Sequence, residues 1–171
     1  QSAEVELAFK YFIRKEAPVT GREALLDLNC VFRGTKARGK RMTFELGVDV
    51  PFTSLCPCSK EISDYGAHNQ RSIARVCVRY KEGFPCIFIE DLAACIEQEG
   101  SSPIYPLLKR ADEKFVTEKA YENPKFVEDI LRDIVLTLRK LKGIAHFSVI
   151  CENFESIHNH NAFAAHSETL A

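Results

Sequence analysis

Residues 123–150 read NPKFVEDILRDIVLTLRKLKGIAHFSVI, and this stretch decides the fold class. Val127, Ile130, Leu131, Ile134, Leu138 and Leu141 recur at helical spacing and make one apolar stripe, while Asp129, Arg132, Asp133, Arg139 and Lys140 occupy the remaining surface. Asn123 reads as the N-cap, Pro124 as the first helical residue and Gly143 as the residue just past the end. A helix with a single apolar stripe has to pack on another apolar surface. Ile144 to Ile150, directly after it, reads as a strand.

Working towards the N-terminus, the pattern favours more strands. Val5-Leu7-Phe9, Ala24 to Phe32 and Met42 to Val50 are apolar runs separated by the turn-like stretches Ala17 to Gly21 and Arg33 to Gly39. In Ser72 to Tyr80, Ile73, Arg75, Cys77 and Arg79 share one face, and Ala74, Val76, Val78 and Tyr80 share the other. A second helix spans Asp91 to Glu99 and stops at Gly100-Ser101-Ser102-Pro103. Strands, helix and strand in this order indicate an α+β fold with helices covering one sheet face. No low-complexity tract, linker or repeat divides the chain, so it reads as one compact unit.

Composition narrows the function. The chain has 171 residues, 46% of them hydrophobic, with 23 basic and 24 acidic side chains, seven Cys and five His. A chain of this length buries roughly 70% of its unfolded surface, so its core needs no disulfides. Seven irregularly spaced cysteines, with no signal peptide and no apolar run of membrane-spanning length, read as a reduced, soluble, cytoplasmic protein. A net charge of −1 provides no global cationic field, which argues against nucleic acid or an anionic membrane as partner. An anionic ligand would have to be met by a local basic cluster.

Three constellations could carry chemistry. The densest is Cys56-Pro57-Cys58-Ser59-Lys60 followed by His68-Asn69-Gln70-Arg71. Two thiols at i and i+2 are too close for a relaxed disulfide, so one can bind a metal while the other faces a substrate. Cys30, Cys77, Cys86, Cys95 and Cys151 read instead as small core residues. The second constellation is Glu152, Glu155, His158 and His160; in an extended segment the two imidazoles would share a face, with Glu155 on the other. The third is Lys109-Arg110-Ala111-Asp112-Glu113-Lys114, mostly a solvated charge run, with Glu128 beyond it on the flank of the helical stripe. A partly desolvated carboxylate there needs donors, and the paired N–H groups of a purine edge would supply them.

These strings, together with Tyr65 to Ser72, Tyr105 to Arg110, Tyr121 to Asp129 and Glu152 to His158, resemble the type IB GTP cyclohydrolases over most of the chain from Val5 onward. The resemblance implies the tunnelling fold (T-fold), in which antiparallel sheets with helices packed on one face assemble into a barrel-like oligomer. The chain is then one catalytic unit, with two tandem T-fold-like halves as the finer reading. A homo-oligomer is implied, with a tetramer the expected size and active sites between subunits. The implied reaction takes GTP and water to 7,8-dihydroneopterin triphosphate and formate, the entry to folate and pterin biosynthesis.

Carried over by motif, Cys56, His68 and Glu113 look like the ligands of one divalent metal, zinc, manganese or iron. Three protein ligands leave a position for water, as catalytic sites do. Cys58 resembles the family's second essential cysteine, Glu128 its guanine anchor, and His158 and His160 its proton-transfer groups with Glu155 in support. Lys60, Arg71, Lys109 and Arg110 are the cations nearest the matched motifs and are candidates for the triphosphate. Two rivals stand beside this reading: a T-fold reductase acting on the nitrile of a 7-deazaguanine, which needs a cysteine but no metal, and a non-catalytic module closed by a structural zinc.

Overall fold

The computed structural model describes residues 1–170. In chain order it contains β1 (Ser2–Glu16), β2 (Glu23–Ala37), β3 (Thr43–Leu55), α1 (Pro57–Ile62), β4 (Asn69–Tyr80), α2 (Ile89–Glu97), β5 (Ser102–Pro103), α3 (Arg110–Glu122), α4 (Val127–Lys140), β6 (Ile144–Asn153) and β7 (Ala162–Thr169). All strands join one antiparallel sheet in the order β1-β2-β3-β4-β6-β7. The short β5 adds to β3 at Phe52 and Thr53, beyond the point where β2 has left it. The expected α+β architecture holds.

The alternation of side chains sorts the sheet into two faces. On one, Val48, Val50 and Phe52 of β3, Ala74, Val76 and Val78 of β4, and Phe147, Val149 and Cys151 of β6 are fully buried against Leu92 and Ile96 of α2 and Ile130, Ile134 and Leu138 of α4. On the other, no helix packs among the described residues, and charges pair across strands. Arg33 Nη2 meets Glu6 Oε2 at 2.6 Å, Arg79 Nε meets Glu45 Oε1 at 2.7 Å, and Arg75 Nη1 meets Glu152 Oε2 at 2.8 Å.

Several boundaries differ from the sequence-based expectation. The helix expected to start at Asn123-Pro124 starts at Val127, with Phe126 as its N-cap. Asn123 instead closes α3, and its Nδ2 donates to the carbonyls of Gly100 (3.0 Å) and Ser101 (3.3 Å). Lys125 N–H is taken by Leu55 C=O at 3.1 Å, so tertiary bonds on both sides of Pro124 delay the helix. α3 itself emerges from the charged run because Asp112 and Ala120, rather than an apolar stripe, are what it buries. Asp112 Oδ1 and Oδ2 accept from Val19 N, Thr20 N and Lys109 N at 2.9 Å each, and from Thr20 Oγ1 at 2.7 Å. That carboxylate fastens the β1–β2 turn to the start of α3. Burial opposes its ionisation, but the accepted hydrogen bonds prevail and hold it well below the usual carboxylate range.

Two further differences lie at the C-terminal end. The segment after Asn153 is a series of bends rather than an extended run, and a further strand, β7, follows it. Cys86 is exposed in the turn after β4 and is no core residue. Cys30 and Cys151 are core residues as expected, their thiols pushed up by burial to about 11 and about 12.

Candidate active site

β3 and β4 carry the Cys56–His68 loop between them. Leu55 ends β3, and Cys56 becomes the N-cap of α1, with Pro57 at the first helical position, where a missing N–H costs nothing. Cys56 Sγ accepts from Ser59 N at 3.5 Å, and Ser59 Oγ donates back to Cys56 C=O at 3.0 Å. The far end of the loop returns to the same place: Cys56 N–H donates to His68 C=O at 3.1 Å, and His68 N–H donates to Ser59 Oγ at 3.1 Å. Cys56 and His68 are therefore neighbours by construction. Cys58, two residues on, is exposed.

The His68 ring is held by a buried polar chain. Its Nδ1 lies 3.0 Å from Gln70 Oε1; Gln70 Nε2 donates to Ser54 Oγ at 2.7 Å; Ser54 Oγ lies 2.8 Å from Ser72 Oγ. Gln70 is 7% exposed, Ser72 1% and Ser54 0%. With the Gln70 amide nitrogen on Ser54, its carbonyl oxygen faces His68 and pairs with a proton on Nδ1. The Nε2 lone pair is left for a ligand, the tautomer a metal-bound imidazole needs. Ser156 Oγ approaches the same Nδ1 at 3.5 Å from the β6–β7 loop.

Beside this loop lies a cavity of about 190 Å3 whose lining includes Cys56, Gln70, Phe126, Glu128, Asn153, Glu155 and Ala162. It gathers three of the residues singled out from the sequence, Cys56, Glu128 and Glu155, from three separate elements. Glu128, in the first turn of α4, is more exposed than its place on the stripe flank suggests. His158 and His160 are exposed on the β6–β7 loop, and their rings stack with centroids 5.2 Å apart, so proximity comes from a bend and not from strand alternation.

The remaining candidates are placed apart. Glu113 is exposed in the first turn of α3 and pairs with Arg110 Nη1 at 2.9 Å. Among the described residues no group of three or more His, Cys, Asp or Glu side chains comes together closely enough to hold a metal. Cys56 and His68 thus supply two adjacent donors of suitable chemistry, thiolate and imidazole, with Glu113 outside their immediate reach. Lys60 Nζ donates to Tyr121 C=O at 2.5 Å and lies 4.1 Å from the centroid of that ring. Lys109 is the exposed N-cap residue of α3, and Arg71 projects from the helix-free face.

Gln70, Ser54, Ser72, Asn153 and Phe126 were not singled out in the sequence. A signal for the first four exists. Gln70 and Ser72 fall in phase with Ala74, Val76 and Val78, Ser54 with Val50 and Phe52, and Asn153 with Val149 and Cys151. Polar residues on the core phase of a strand must find partners.

A family model described as type I GTP cyclohydrolase folE2 matches residues 1–164. The chain is 60% identical to GTP cyclohydrolase FolE2 of Geobacter sulfurreducens over 164 residues, which are 96% of this chain and 62% of that protein. It is 52% identical to GTP cyclohydrolase FolE2 of Thermosipho africanus over 171 residues, 99% of this chain and 64% of that protein. The chain spans about three fifths of the length of the curated relatives it matches. Among solved structures, uricase from Arthrobacter globiformis superposes with a TM-score of 0.52 at 7% identity, covering 98% of this chain and 63% of that one. That likeness shows the fold alone, the T-fold expected from the sequence.

Proposed function

The chain belongs to the type I GTP cyclohydrolase FolE2 family, and from that premise we propose that the intact protein converts GTP and water to 7,8-dihydroneopterin triphosphate and formate. The observation that carries the reading is the cavity at which Cys56, Glu128 and Glu155 meet, next to a His68 whose ring is fixed by Gln70. The reaction breaks the imidazole ring of the purine, expels C8 as formate, rearranges the ribose and closes a second six-membered ring. It needs an anchored base, an activated water and groups that move protons both ways.

Each need has a candidate in this chain. The Glu128 carboxylate, at the rim of the cavity, accepts the N–H groups of the guanine edge. Cys56, His68 and Glu113 hold one divalent metal, zinc, manganese or iron, with Glu113 brought in by displacement of its Arg110 contact or from another subunit. When bound, the metal supplies the Lewis acidity that makes water a competent nucleophile near neutral pH. Cys58, exposed two residues on from Cys56, presents its thiol to the substrate side. His158 and His160 take up and return protons during ring opening and rearrangement, a task suited to imidazoles near neutrality, and Glu155 orients them.

The triphosphate falls to Lys60, Arg71, Lys109 and Arg110. Lys60 and Arg110 would exchange their present contacts with Tyr121 and Glu113 for phosphate oxygens. A homo-oligomer, tetrameric and with sites shared between subunits, and a cytoplasmic location complete the proposal. No helix among the described residues is long and apolar enough to cross a membrane.

The test is GTP turnover by the intact protein after metal removal and reloading with each metal in turn. Stoichiometric formate and a product that fluoresces as a pterin after oxidation are expected. NADPH-dependent nitrile reduction without metal, or a protein that unfolds on chelation and leaves GTP intact, would replace this reading.

A further inference from the structure

Asn153 ends β6 on the helix-covered face of the sheet, directly between Ser72 of β4 and Ala162 of β7. It is 4% exposed, and its Oδ1 has no hydrogen-bond partner among the described residues, where it alone among buried side-chain nitrogens and oxygens lacks one. A carbonyl oxygen withdrawn from water without a donor is costly, and native structures keep few of them. This one belongs to a residue lining the cavity shared by Cys56, Glu128 and Glu155.

The surroundings narrow what could donate to it. Ser72, directly opposite on β4, has its hydroxyl paired with Ser54 Oγ at 2.8 Å; Gln70, two positions before it, donates an amide hydrogen to Ser54; and Lys125 Nζ at the cavity wall donates to Glu99 C=O and Asp133 Oδ2. Ala162, opposite on β7, has no polar side-chain atom. The carboxylates of Glu128 and Glu155 serve as acceptors. None of these groups donates to Asn153 Oδ1. A ligand that enters the cavity can supply the missing donor, and Phe126, 42% exposed at its wall, offers that ligand an aromatic face.

We infer that Asn153 Oδ1 is a specificity-determining acceptor that reads the exocyclic amino group of the purine. This rests on the cyclohydrolase reading for the identity of the ligand. Guanine offers three N–H hydrogens along one edge, one from the ring nitrogen and two from the amino group. A carboxylate takes a parallel pair. The third, on the far side of the amino group, is left for a neutral acceptor, and a carboxamide oxygen supplies one without adding a second negative charge beside Glu128. Hypoxanthine lacks the amino group, so its nucleotide leaves Asn153 unpaired and is discriminated against, the situation in which buried polar groups confer the most selectivity.

The experiment measures dissociation constants of GTP and inosine triphosphate for the metal-loaded intact protein, wild type and Asn153→Leu, with released formate counted in the same samples. The wild type is expected to prefer GTP, and Asn153→Leu to lose about tenfold of that preference, a factor typical of one hydrogen bond, through weaker GTP binding with inosine triphosphate little changed. Asn153→Leu should also melt no lower than wild type in the absence of nucleotide, because the orphaned oxygen is gone. An unchanged preference, or equal losses for both nucleotides, overturns the inference. If Asn153→Leu does not fold, the same ratio in Asn153→Ala decides, and a wild type that binds both nucleotides equally overturns the inference without any variant. Formate counts separate the two readings: nucleotide preference without formate retains the Asn153 assignment and removes the cyclohydrolase activity, whereas formate with an unchanged preference does the reverse.

Discussion

Gln70 Oε1 stands 3.0 Å from His68 Nδ1, while the other end of the same amide donates to Ser54 Oγ at 2.7 Å. The orientation of this amide and the tautomer of the histidine are therefore coupled through the Ser54 and Ser72 hydroxyls of β3 and β4. Gln70→Leu should leave the fold intact and weaken metal binding about 10- to 100-fold, the usual cost of losing a partner behind a metal-bound imidazole. A competition titration against a chelator measures it. Unchanged metal affinity would remove His68 from the ligand set or Gln70 from its support.

Cys56 has two separable jobs, helix cap and proposed ligand. Serine is among the best N-cap residues, so Cys56→Ser should preserve α1 and the melting temperature while metal content falls. Cys58→Ser should keep the metal and lose turnover. Metal analysis beside formate release distinguishes them; retained metal in Cys56→Ser would refute the assignment.

Glu128→Gln replaces a charged acceptor by a neutral one at the cavity rim. GTP affinity should fall about 10- to 100-fold, from loss of a hydrogen bond to a charged group, with metal content unchanged. Calorimetry checks the first and metal analysis the second.

Asp112 predicts an acid limb in the stability curve. Its folded carboxyl is depressed below the unfolded value, so the unfolded state binds the extra proton and stability falls as pH drops below about 4. Asp112→Asn should melt lower than wild type at pH 7, and the gap should close as pH falls through that range. Melting temperature against pH is the measurement; a constant gap would show that hydrogen bonding, and not charge, is what the site needs.

Gly100 sits where any side chain would strike the Phe52 ring: an added Cβ would come within 2.6 Å of it. Gly100→Ala should cost about 1–3 kcal/mol by overpacking. Denaturant unfolding reads this, and metal affinity in the surviving folded protein should be unaltered.

What the sequence disclosed followed from which forces act locally. The strands and α4 were legible because burial imposes its period on Val48, Val50, Val76, Val78, Ile130, Ile134 and Leu138. α3 was not, since its anchor is Asp112 bonded to a turn some 90 positions earlier, a contact with no local pattern. For the same reason Asn123 read as a helix start although it ends the preceding helix by reaching Gly100 and Ser101. Within the site, Cys56 and Glu128 stood out by spacing and by position on the helical stripe, and their roles through resemblance to a family. Gln70 and Asn153 were concealed inside strand alternation, where a polar residue on the core phase looks like an irregularity until its neighbours are known.

The strand order has a consequence for how the molecule assembles. β1 to β4 follow one another as neighbours in the sheet, so their pairings close short loops, whereas β6 reaches β4 only after the whole of residues 81–143 has been gathered in. Closing that long loop costs more chain entropy than any of the hairpin closures among β1 to β4. The seam it completes is the one at which Gln70 and Ser72 of β4 face Asn153 of β6. The cavity lined by Glu128 and Asn153 therefore borders the strand pairing of greatest sequence separation in the sheet, and a ligand bridging the two residues would tie α4 to that seam.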